Sequence, residues 1–268
     1  MIMLIDKDAT KDFRCRCIRW TDDQLEPIKV AREVPLTILL NDQELVTLLC
    51  SPGNEQYLAV GFLASEGYIQ SAEELKHVLT DTAGGIVRVS TQNSPENVPK
   101  LMFKRVVASA CGRCAAFYNA ADAISKPVIS QNKISIGQIE KLVQKFQKAS
   151  NLRDITHGVH GAALCDNSDL LVMSEDIGRH NAVDKVFGKC LIEKISVSGK
   201  LIILSGRVSS EMVYKVTKRE IPIIMSVAAP TDLGIELCEQ LGVTLITAVR
   251  NDSMNIFTHS WRVTPNEG

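Results

Sequence analysis

Apolar and polar residues alternate along the first part of the chain in a pattern that predicts short strands. Two apolar runs, residues 34–40 and 45–50, flank the polar segment 41–44, an arrangement typical of a β-hairpin. A Ser-Pro-Gly start followed by apolar residues at helical spacing predicts a helix through about Ser65, which Gly67 would end. Two further strands are expected at residues 86–89 and 101–107.

Beyond about residue 106 the pattern changes to short apolar runs that alternate with helical segments. Such alternation predicts a layered α/β domain with a largely parallel portion of sheet. Strands are expected at 162–165, 170–173, 201–204, 223–226 and 243–247, and helices at 115–124, 136–146, 178–191, 209–218 and 232–240. The expected fold class is α/β, with a smaller β-rich N-terminal domain at residues 1–105 and an α/β domain at residues 106–268.

The net charge and the length of the apolar runs argue against several classes of function. The chain has 30 Lys and Arg residues against 31 Asp and Glu residues, a formal net charge of −1, which argues against non-specific binding to nucleic acid or a membrane surface. No apolar run is long enough to span a bilayer, and the N-terminus lacks the apolar centre of a signal peptide. We therefore expect a cytoplasmic protein without nucleic-acid or membrane partners, in a compartment that keeps thiols reduced.

Two of the eight cysteines stand apart from the rest. Cys111 and Cys114 form a C-x-x-C pair beside the start of the predicted helix at 115–124. As the cap of that helix, Cys111 would face free backbone N–H groups, and Arg113 would add a cation; both effects favour a thiolate. The scattered cysteines are expected to be small buried hydrophobic residues: Cys15, Cys17, Cys50, Cys165, Cys190 and Cys238.

A C-x-x-C pair has four interpretations. It could be a thioredoxin-like redox pair, half of a zinc site, a structural pair in the core, or a sulfur carrier in which Cys111 holds a persulfide. The sequence lacks the second C-x-x-C or H-x₃₋₅-H pattern that would complete a zinc site. Zinc deaminases combine C-x-x-C with H-x-E, and no histidine here is followed two positions later by glutamate. We therefore expect no bound metal.

A dense polar stretch joins a predicted strand to a predicted helix at residues 174–185. Arg179 at the helix start would favour an anion. Asp184, four residues after His180, would share its helix face and orient the imidazole. An ordinary charged, solvated helix is the alternative interpretation. Upstream, His157 and His160 lie in a glycine-containing loop, where metal ligation and ordinary loop histidines both fit the pattern.

Two more segments follow predicted strands directly. At Gly206-Arg207 a strand turns into a helix, and glycine would let the backbone approach a phosphate. The second segment follows the strand at 243–247, at the sheet edge where open α/β folds place ligands, and its arginine could hold a phosphate or a guanine edge. A plain turn and an ordinary surface loop are the alternatives. This second segment comprises Ala248, Val249, Arg250, Asn251, Asp252 and Ser253.

Taken together, these stretches resemble the formate dehydrogenase accessory sulfurtransferase family. The similarity spans about residues 32 to 253, in the expected order. Its most specific parts are Glu-Asp-Ile-Gly-Arg-His-Asn-Ala-Val-Asp-Lys at 175–185 and Ser-Gly-Arg-Val-Ser-Ser-Glu-Met at 205–212. The remaining matches lie at 32–36, 52–67, 109–114, 156–164 and 248–253.

The resemblance implies a C-terminal domain similar to cytidine deaminase. It also implies that sulfur passes from a cysteine desulfurase to a molybdenum bis-guanine-dinucleotide cofactor destined for formate dehydrogenase. Cys111 then matches the persulfide-bearing cysteine, Cys114 assists, and the segment 248–253 matches the cofactor-binding segment. Because the cofactor is a bound substrate, no permanently bound metal is implied. Candidate contacts to its nucleotide phosphates are Arg179, His180, Gly206, Arg207 and Arg250.

The implied partners are a cysteine desulfurase, the formate dehydrogenase apoprotein and the guanine-containing cofactor, and the resemblance is compatible with a homodimer. Two other functions stay open on the sequence. One is a non-catalytic chaperone that binds the molybdenum cofactor for formate dehydrogenase. The other is a zinc-dependent enzyme of the deaminase type, which the absent H-x-E disfavours.

Overall fold

The computed structural model describes residues 2–3, 9–19, 22–92, 104–107, 115–118, 126–250 and 253–266. Elements are numbered in chain order. The first part contains one helix, α1 (Glu55–Ser65). Its strands are β1 (Ile2–Met3), β2 (Thr10–Arg19), β3 (Asp22–Ala31), β4 (Val34–Leu40), β5 (Gln43–Cys50), β6 (Leu75–Asp81), β7 (Ile86–Thr91), β8 (Lys104–Val107) and β9 (Ala115–Tyr118).

The second part alternates strands and helices, as the sequence predicts. Its strands are β10 (Ile134–Ser135), β11 (His160–Cys165), β12 (Leu170–Asp176), β13 (Leu201–Leu204), β14 (Ile223–Ser226), β15 (Thr244–Thr247), β16 (Asn255–Ile256) and β17 (Val263–Thr264). Its helices are α2 (Ile136–Ala149), α3 (Asn151–Thr156), α4 (Arg179–Ile192), α5 (Ser210–Thr217) and α6 (Asp232–Gln240).

A seven-stranded sheet organises the second part, in the order β1-β12-β11-β13-β14-β15-β16. Strands β13, β14 and β15 run parallel, and β11 runs antiparallel to both of its neighbours. Apolar side chains of α4, α5 and α6 cover one face of this sheet, and those of α2 cover the other. The α/β class and the parallel portion of sheet predicted from the pattern are therefore confirmed.

A separate four-stranded sheet, in the order β5-β4-β7-β6, carries α1 on one side. Its β4–β5 hairpin turns at Asn41 and Asp42, which both have positive φ, the conformation that a tight two-residue turn requires. Strands β2 and β3 form their own two-stranded ribbon, and β8 pairs with β9.

Helices α1 and α4 join the two sheets by a very close crossing. A Cβ atom on Gly61 of α1 would lie 1.8 Å from the carbonyl oxygen of Asp184, and one on Gly188 of α4 would lie 1.9 Å from that of Tyr57. Each helix therefore presents a glycine to the backbone of the other. Ser65 reinforces the crossing, since its hydroxyl donates to Asp184 Oδ1 at 2.6 Å.

The predicted helix at 115–124 is wrong where the structure describes it. Residues 115–118 form β9, which pairs antiparallel with β8 so that Ala115 lies opposite Val107. A run of four apolar residues has no periodicity that distinguishes a strand from a helix. Here the pairing with β8 makes the segment a strand. The expected effect of a helix dipole on the Cys111 thiol assumed a helix through residues 115–118, so that argument loses its basis.

Within the described residues, we find no helix with the length and apolar content needed to cross a bilayer.

Candidate functional site

One edge of the central sheet collects most of the predicted binding residues. Strands β12, β13, β14 and β15 all end at this edge, and β11 begins there, since His160 lies opposite Asp176. The helices that follow these strands start at the same edge, which is where open α/β sheets bind ligands. Of the predicted set it brings together Arg179 and His180 at the start of α4, Gly206 and Arg207 after β13, and Ala248, Val249 and Arg250 after β15.

His160 and Ser205 link two of these strands at the edge. The backbone N–H of Gly161 donates to Ser205 Oγ at 2.8 Å, and the N–H of Ser205 donates to the Gly161 carbonyl at 2.9 Å. The same hydroxyl oxygen lies 3.3 Å from His160 Nδ1. Ser205 therefore fixes the imidazole of His160 against the end of β13.

Gly206 leaves room for two side chains of the site. A Cβ atom at this position would lie 3.2 Å from both His160 Nδ1 and the Cβ atom of Arg179. The close approach that the structure shows at Gly206 is made by His160 and Arg179 of the chain itself, and the approach of a phosphate to this backbone stays a prediction.

The site is electropositive around His160. The pKa of the imidazole is lowered, first by burial and then by Arg179, Arg153 and His180, while Asp176 opposes the shift. Arg207 and Arg250 lie exposed at the same edge. Arginines that follow β12, β13 and β15, together with the starts of α4, α5 and α6, favour an anionic ligand.

His180 has a different partner from the one that its helical spacing indicates. Its Nε2 lies 3.2 Å from Glu211 Oε2 of α5, and this contact with His180 is the main reason that the pKa of Glu211 is lowered. Asp184 instead accepts hydrogen bonds from Ser65 and Lys215. The prediction that Asp184 orients His180 is therefore wrong, because the carboxylate of Asp184 is hydrogen-bonded to Ser65 and Lys215 instead.

A buried clasp holds the start of α4. The carboxylate of Asp176, at the end of β12, accepts hydrogen bonds from the backbone N–H groups of Ser51 and Gly178 and from the side chain of Asn181. Lys185 Nζ lies 2.7 Å from Asp176 Oδ2 and donates to the carbonyl of Ser51 at 2.9 Å. The loop between β5 and α1 thereby fixes the helix that carries Arg179 and His180.

The segment after β15 is anchored at its centre. Ala248 has a positive φ of 50°, Val249 is buried in the core that faces α2, and the N–H of Arg250 donates to the carbonyl of Ser253. The Arg250 and Ser253 side chains are exposed. Asn251 and Asp252 lie outside the described residues.

With the geometry in place, comparison with known proteins assigns the family. The model of the FdhD/NarQ family matches residues 31–264 of the chain. This chain belongs to the FdhD/NarQ family.

Named relatives of this FdhD/NarQ chain span nearly its whole length. It is 43% identical over 249 residues to a sulfur carrier protein FdhD from Bacillus subtilis, which covers 91% of this chain and 95% of the relative. A protein of the same name from Staphylococcus aureus is 39% identical, covering 88% of this chain and 89% of the relative. The crystal structure of a proposed formate dehydrogenase accessory protein from Desulfotalea psychrophila matches with a TM-score of 0.79 and 30% identity, covering 96% of this chain and all of the other.

The cysteines of this FdhD/NarQ chain divide by burial. Desolvation raises the pKa of the Cys50, Cys190 and Cys238 thiols to about 12, and burial raises that of Cys165 as well. These four cysteines are buried, as the sequence analysis predicts, and the raised pKa disfavours their thiolate form at neutral pH. Cys15 was expected to be buried, and that prediction is wrong, because it lies exposed on β2. Cys111 and Cys114 lie outside the described residues.

Sequence reasoning missed the residues that hold the site together. Ser205, Asp176 and Glu211 all lie inside the matched motifs, yet their partners come from distant parts of the chain. Polar residues at the ends of apolar strands could have indicated Ser205 and Asp176. Among the described residues, no three His, Cys, Asp or Glu side chains cluster as metal ligands.

Proposed function

We propose that this protein carries sulfur for the maturation of formate dehydrogenase, with Cys111 as the persulfide-bearing residue. The observation that carries the proposal is its membership of the FdhD/NarQ family, with relatives named sulfur carrier proteins that align over nearly the whole chain. Burial of Cys50, Cys165, Cys190 and Cys238 supports the choice of thiol, since a carrier must meet its donor and acceptor at the surface.

Loading of the carrier needs no external oxidant. The thiolate of Cys111 attacks the terminal sulfur of a persulfide on a cysteine desulfurase. One sulfur–sulfur bond forms as the other breaks, and the cysteine of the desulfurase leaves as a thiolate.

Release of the sulfur as sulfide needs two electrons, which Cys114 can supply. Its thiolate attacks Sγ of Cys111, sulfide leaves, and the two cysteines end as a disulfide. A cellular dithiol reductant then restores the pair. In this scheme Cys114, three residues from Cys111 in the sequence, assists by displacing the sulfide.

The substrate that receives the sulfur is the molybdenum bis-guanine-dinucleotide cofactor, and the edge of the central sheet fits its anionic nucleotide arms. Arg179, Arg207 and Arg250 supply charge there. Two hydroxyls at this edge, Oγ of Ser209 at the start of α5 and Oγ1 of the fully buried Thr247, have no hydrogen-bond partner among the described residues. Polar atoms of this kind fit a polar ligand.

The proposed function also implies protein partners and a cellular location. The protein acts in the cytoplasm, receives sulfur from a cysteine desulfurase and delivers it for the formate dehydrogenase apoprotein. We also propose that the layers of the C-terminal domain resemble those of cytidine deaminase and that the chain divides into two domains near residue 106.

The test uses bacterial cells that lack their own FdhD. Plasmids encoding wild-type protein, Cys111→Ser and the matched control Cys165→Ser are introduced, and formate dehydrogenase activity is measured in extracts. We expect wild-type protein and Cys165→Ser to restore activity and Cys111→Ser to restore none. Full activity with Cys111→Ser would contradict the persulfide role. A chaperone that only binds the cofactor would give that result.

A further inference from the structure

We propose that His160 is a neutral hydrogen-bond donor to the nucleotide phosphates, with its proton held on Nε2 by Ser205. This inference rests on the proposed function and adds a binding residue with a defined protonation state to the same site. His160 was predicted to lie near a site, but its role was left open by the sequence. Three observations on the structure assign it.

The first observation is the hydrogen-bond balance of Ser205. Its buried hydroxyl oxygen accepts from the N–H of Gly161 at 2.8 Å, so its own hydrogen points elsewhere. Among the described residues, the acceptor within reach of that hydrogen is Nδ1 of His160, at 3.3 Å. A proton on Nδ1 would leave the hydroxyl hydrogen without a partner, which buried hydroxyls avoid. Nδ1 is therefore the acceptor, and Nε2 carries the N–H.

The second observation is the charge around the ring. Arg179 and His180 approach His160 from α4, Arg153 approaches from α3, and Asp176 from β12 partly offsets them. This surplus of positive groups, together with burial, disfavours the imidazolium. The ring therefore acts as a neutral donor, and the arginines supply the charge.

The third observation is the position of Gly206 between His160 and Arg179. The absence of a side chain at Gly206 lets both residues flank the same backbone position, with Nδ1 and the Arg179 Cβ atom each 3.2 Å from where a Cβ atom would stand. One cationic and one neutral donor beside each other can bind two oxygens of one phosphate group. That arrangement fits a phosphate group, and the nucleotide part of the ligand comes from the proposed function.

Guanosine diphosphate is the probe for this inference, measured by calorimetry on the full chain. We expect His160→Ala to weaken binding about tenfold, the effect of one lost hydrogen bond to a charged group. His160→Gln, which keeps an N–H near the Nε2 position, should recover most of the affinity. The matched control is His157→Ala, because His157 is exposed and lies three residues before His160.

The protonation state needs a readout that a purely structural role would not move. Two-dimensional nitrogen–proton NMR of wild-type protein at neutral pH should show His160 protonated on Nε2, and Ser205→Ala should populate the Nδ1–H form. The affinity ratio of wild-type to His160→Ala should stay constant between about pH 8.5 and about pH 7.5, where an imidazole with a pKa below the ordinary value is neutral.

Each result decides the inference. A wild-type Nδ1–H tautomer, unchanged binding by His160→Ala, or an affinity ratio that grows as the pH falls would overturn it. In the last case His160 acts through its charge. Wild-type protein that fails to bind guanosine diphosphate at all would overturn the nucleotide site of the proposed function as well, whereas the other results leave that site intact.

Discussion

At the scale of single residues, the site depends on small residues that leave space for larger side chains to lie close together. Gly206 admits His160 and Arg179, and the Ser205 hydroxyl connects β11 to β13 while it orients the imidazole. The functional side chains are therefore placed by residues that carry no reactive group. Substitutions at these small residues should change ligand binding as well as stability.

Gly206→Ala tests this dependence. The added methyl group would meet His160 Nδ1 and the Arg179 side chain at 3.2–3.3 Å, so both must shift by a few tenths of an ångström. We expect affinity for guanosine diphosphate to fall about tenfold, with a stability loss of about 1–3 kcal/mol. Gly158→Ala is the control, since its nearest contact would be an ordinary 3.4 Å. Equal affinity for Gly206→Ala and wild-type protein would refute this account of the residue.

His160 should also leave a signature in the pH dependence of stability. Because its pKa is lowered in the folded protein from the ordinary value of 6.5, the unfolded chain binds more protons between the two values. The stabilising contribution of the neutral ring is present above pH 6.5 and is lost as the pH falls towards the folded pKa. Urea unfolding at about pH 7.5 and about pH 5.5 should show a smaller loss of stability for His160→Gln than for wild-type protein. A larger loss in the variant would contradict the direction of the shift.

At the scale of elements, the crossing of α1 and α4 connects the four-stranded sheet to the site. Gly61 and Gly188 set the separation of the helices, and the Asp176–Lys185 clasp fixes the first turn of α4 to the loop before α1. The N-terminal part of the chain thus positions Arg179 and His180 without contributing a predicted binding residue. Two variants separate the contributions of packing and charge.

The packing contribution is tested by Gly61→Ala. A methyl group 1.8 Å from the carbonyl oxygen of Asp184 forces the helices apart. We expect a loss of about 3 kcal/mol or more in the free energy of unfolding, above the usual cost of overpacking. Gly137→Ala in α2 is the matched control, because its methyl group would meet only the movable side chain of Asn266. Similar unfolding midpoints in urea for the two variants would show that the close crossing is dispensable.

The charge contribution is tested by Lys185→Met. This change leaves the Asp176 carboxylate buried without its cation and should cost about 3–5 kcal/mol. Lys145→Met, which breaks the exposed pair with Asp169, should cost at most about 1 kcal/mol. Adding Asp176→Asn to Lys185→Met should restore part of the stability. A double variant less stable than Lys185→Met in thermal unfolding would argue against an unpaired charge as the cause.

At the scale of the whole molecule, the sequence predicted most strands and helices of the second part but missed β2, β3 and β6 of the first part, and it predicted tertiary partners poorly. Four-residue apolar runs at 201–204 and 223–226 could be recognised as buried parallel strands because helical patterns follow them. The start of α4 after Gly178 could be predicted from the adjacent residues in the sequence alone. The strand Ala115–Tyr118, the Glu211 partner of His180 and the glycine crossing depend on segments far along the chain, and no local pattern encodes them.

The same limit applies to function. Motif order placed Arg179, Gly206 and Arg250 in one site, and in the structure the three residues lie at the same edge of the central sheet. The helix-cap argument for a reactive Cys111 failed with the strand at 115–118. The choice of Cys111 therefore rests on the resemblance to the family and on the burial of Cys50, Cys165, Cys190 and Cys238, which does not bear on the exposed Cys15.

Mass spectrometry of the protein after incubation with a cysteine desulfurase and cysteine tests the sulfur-carrier role most directly. The account predicts one added sulfur atom on the peptide that contains Cys111, removed by a thiol reductant and absent from Cys111→Ser. Peptides that contain Cys50, Cys165, Cys190 and Cys238 should stay unmodified. An added sulfur on one of these buried cysteines, or none on the Cys111 peptide while the desulfurase is active, would contradict the account.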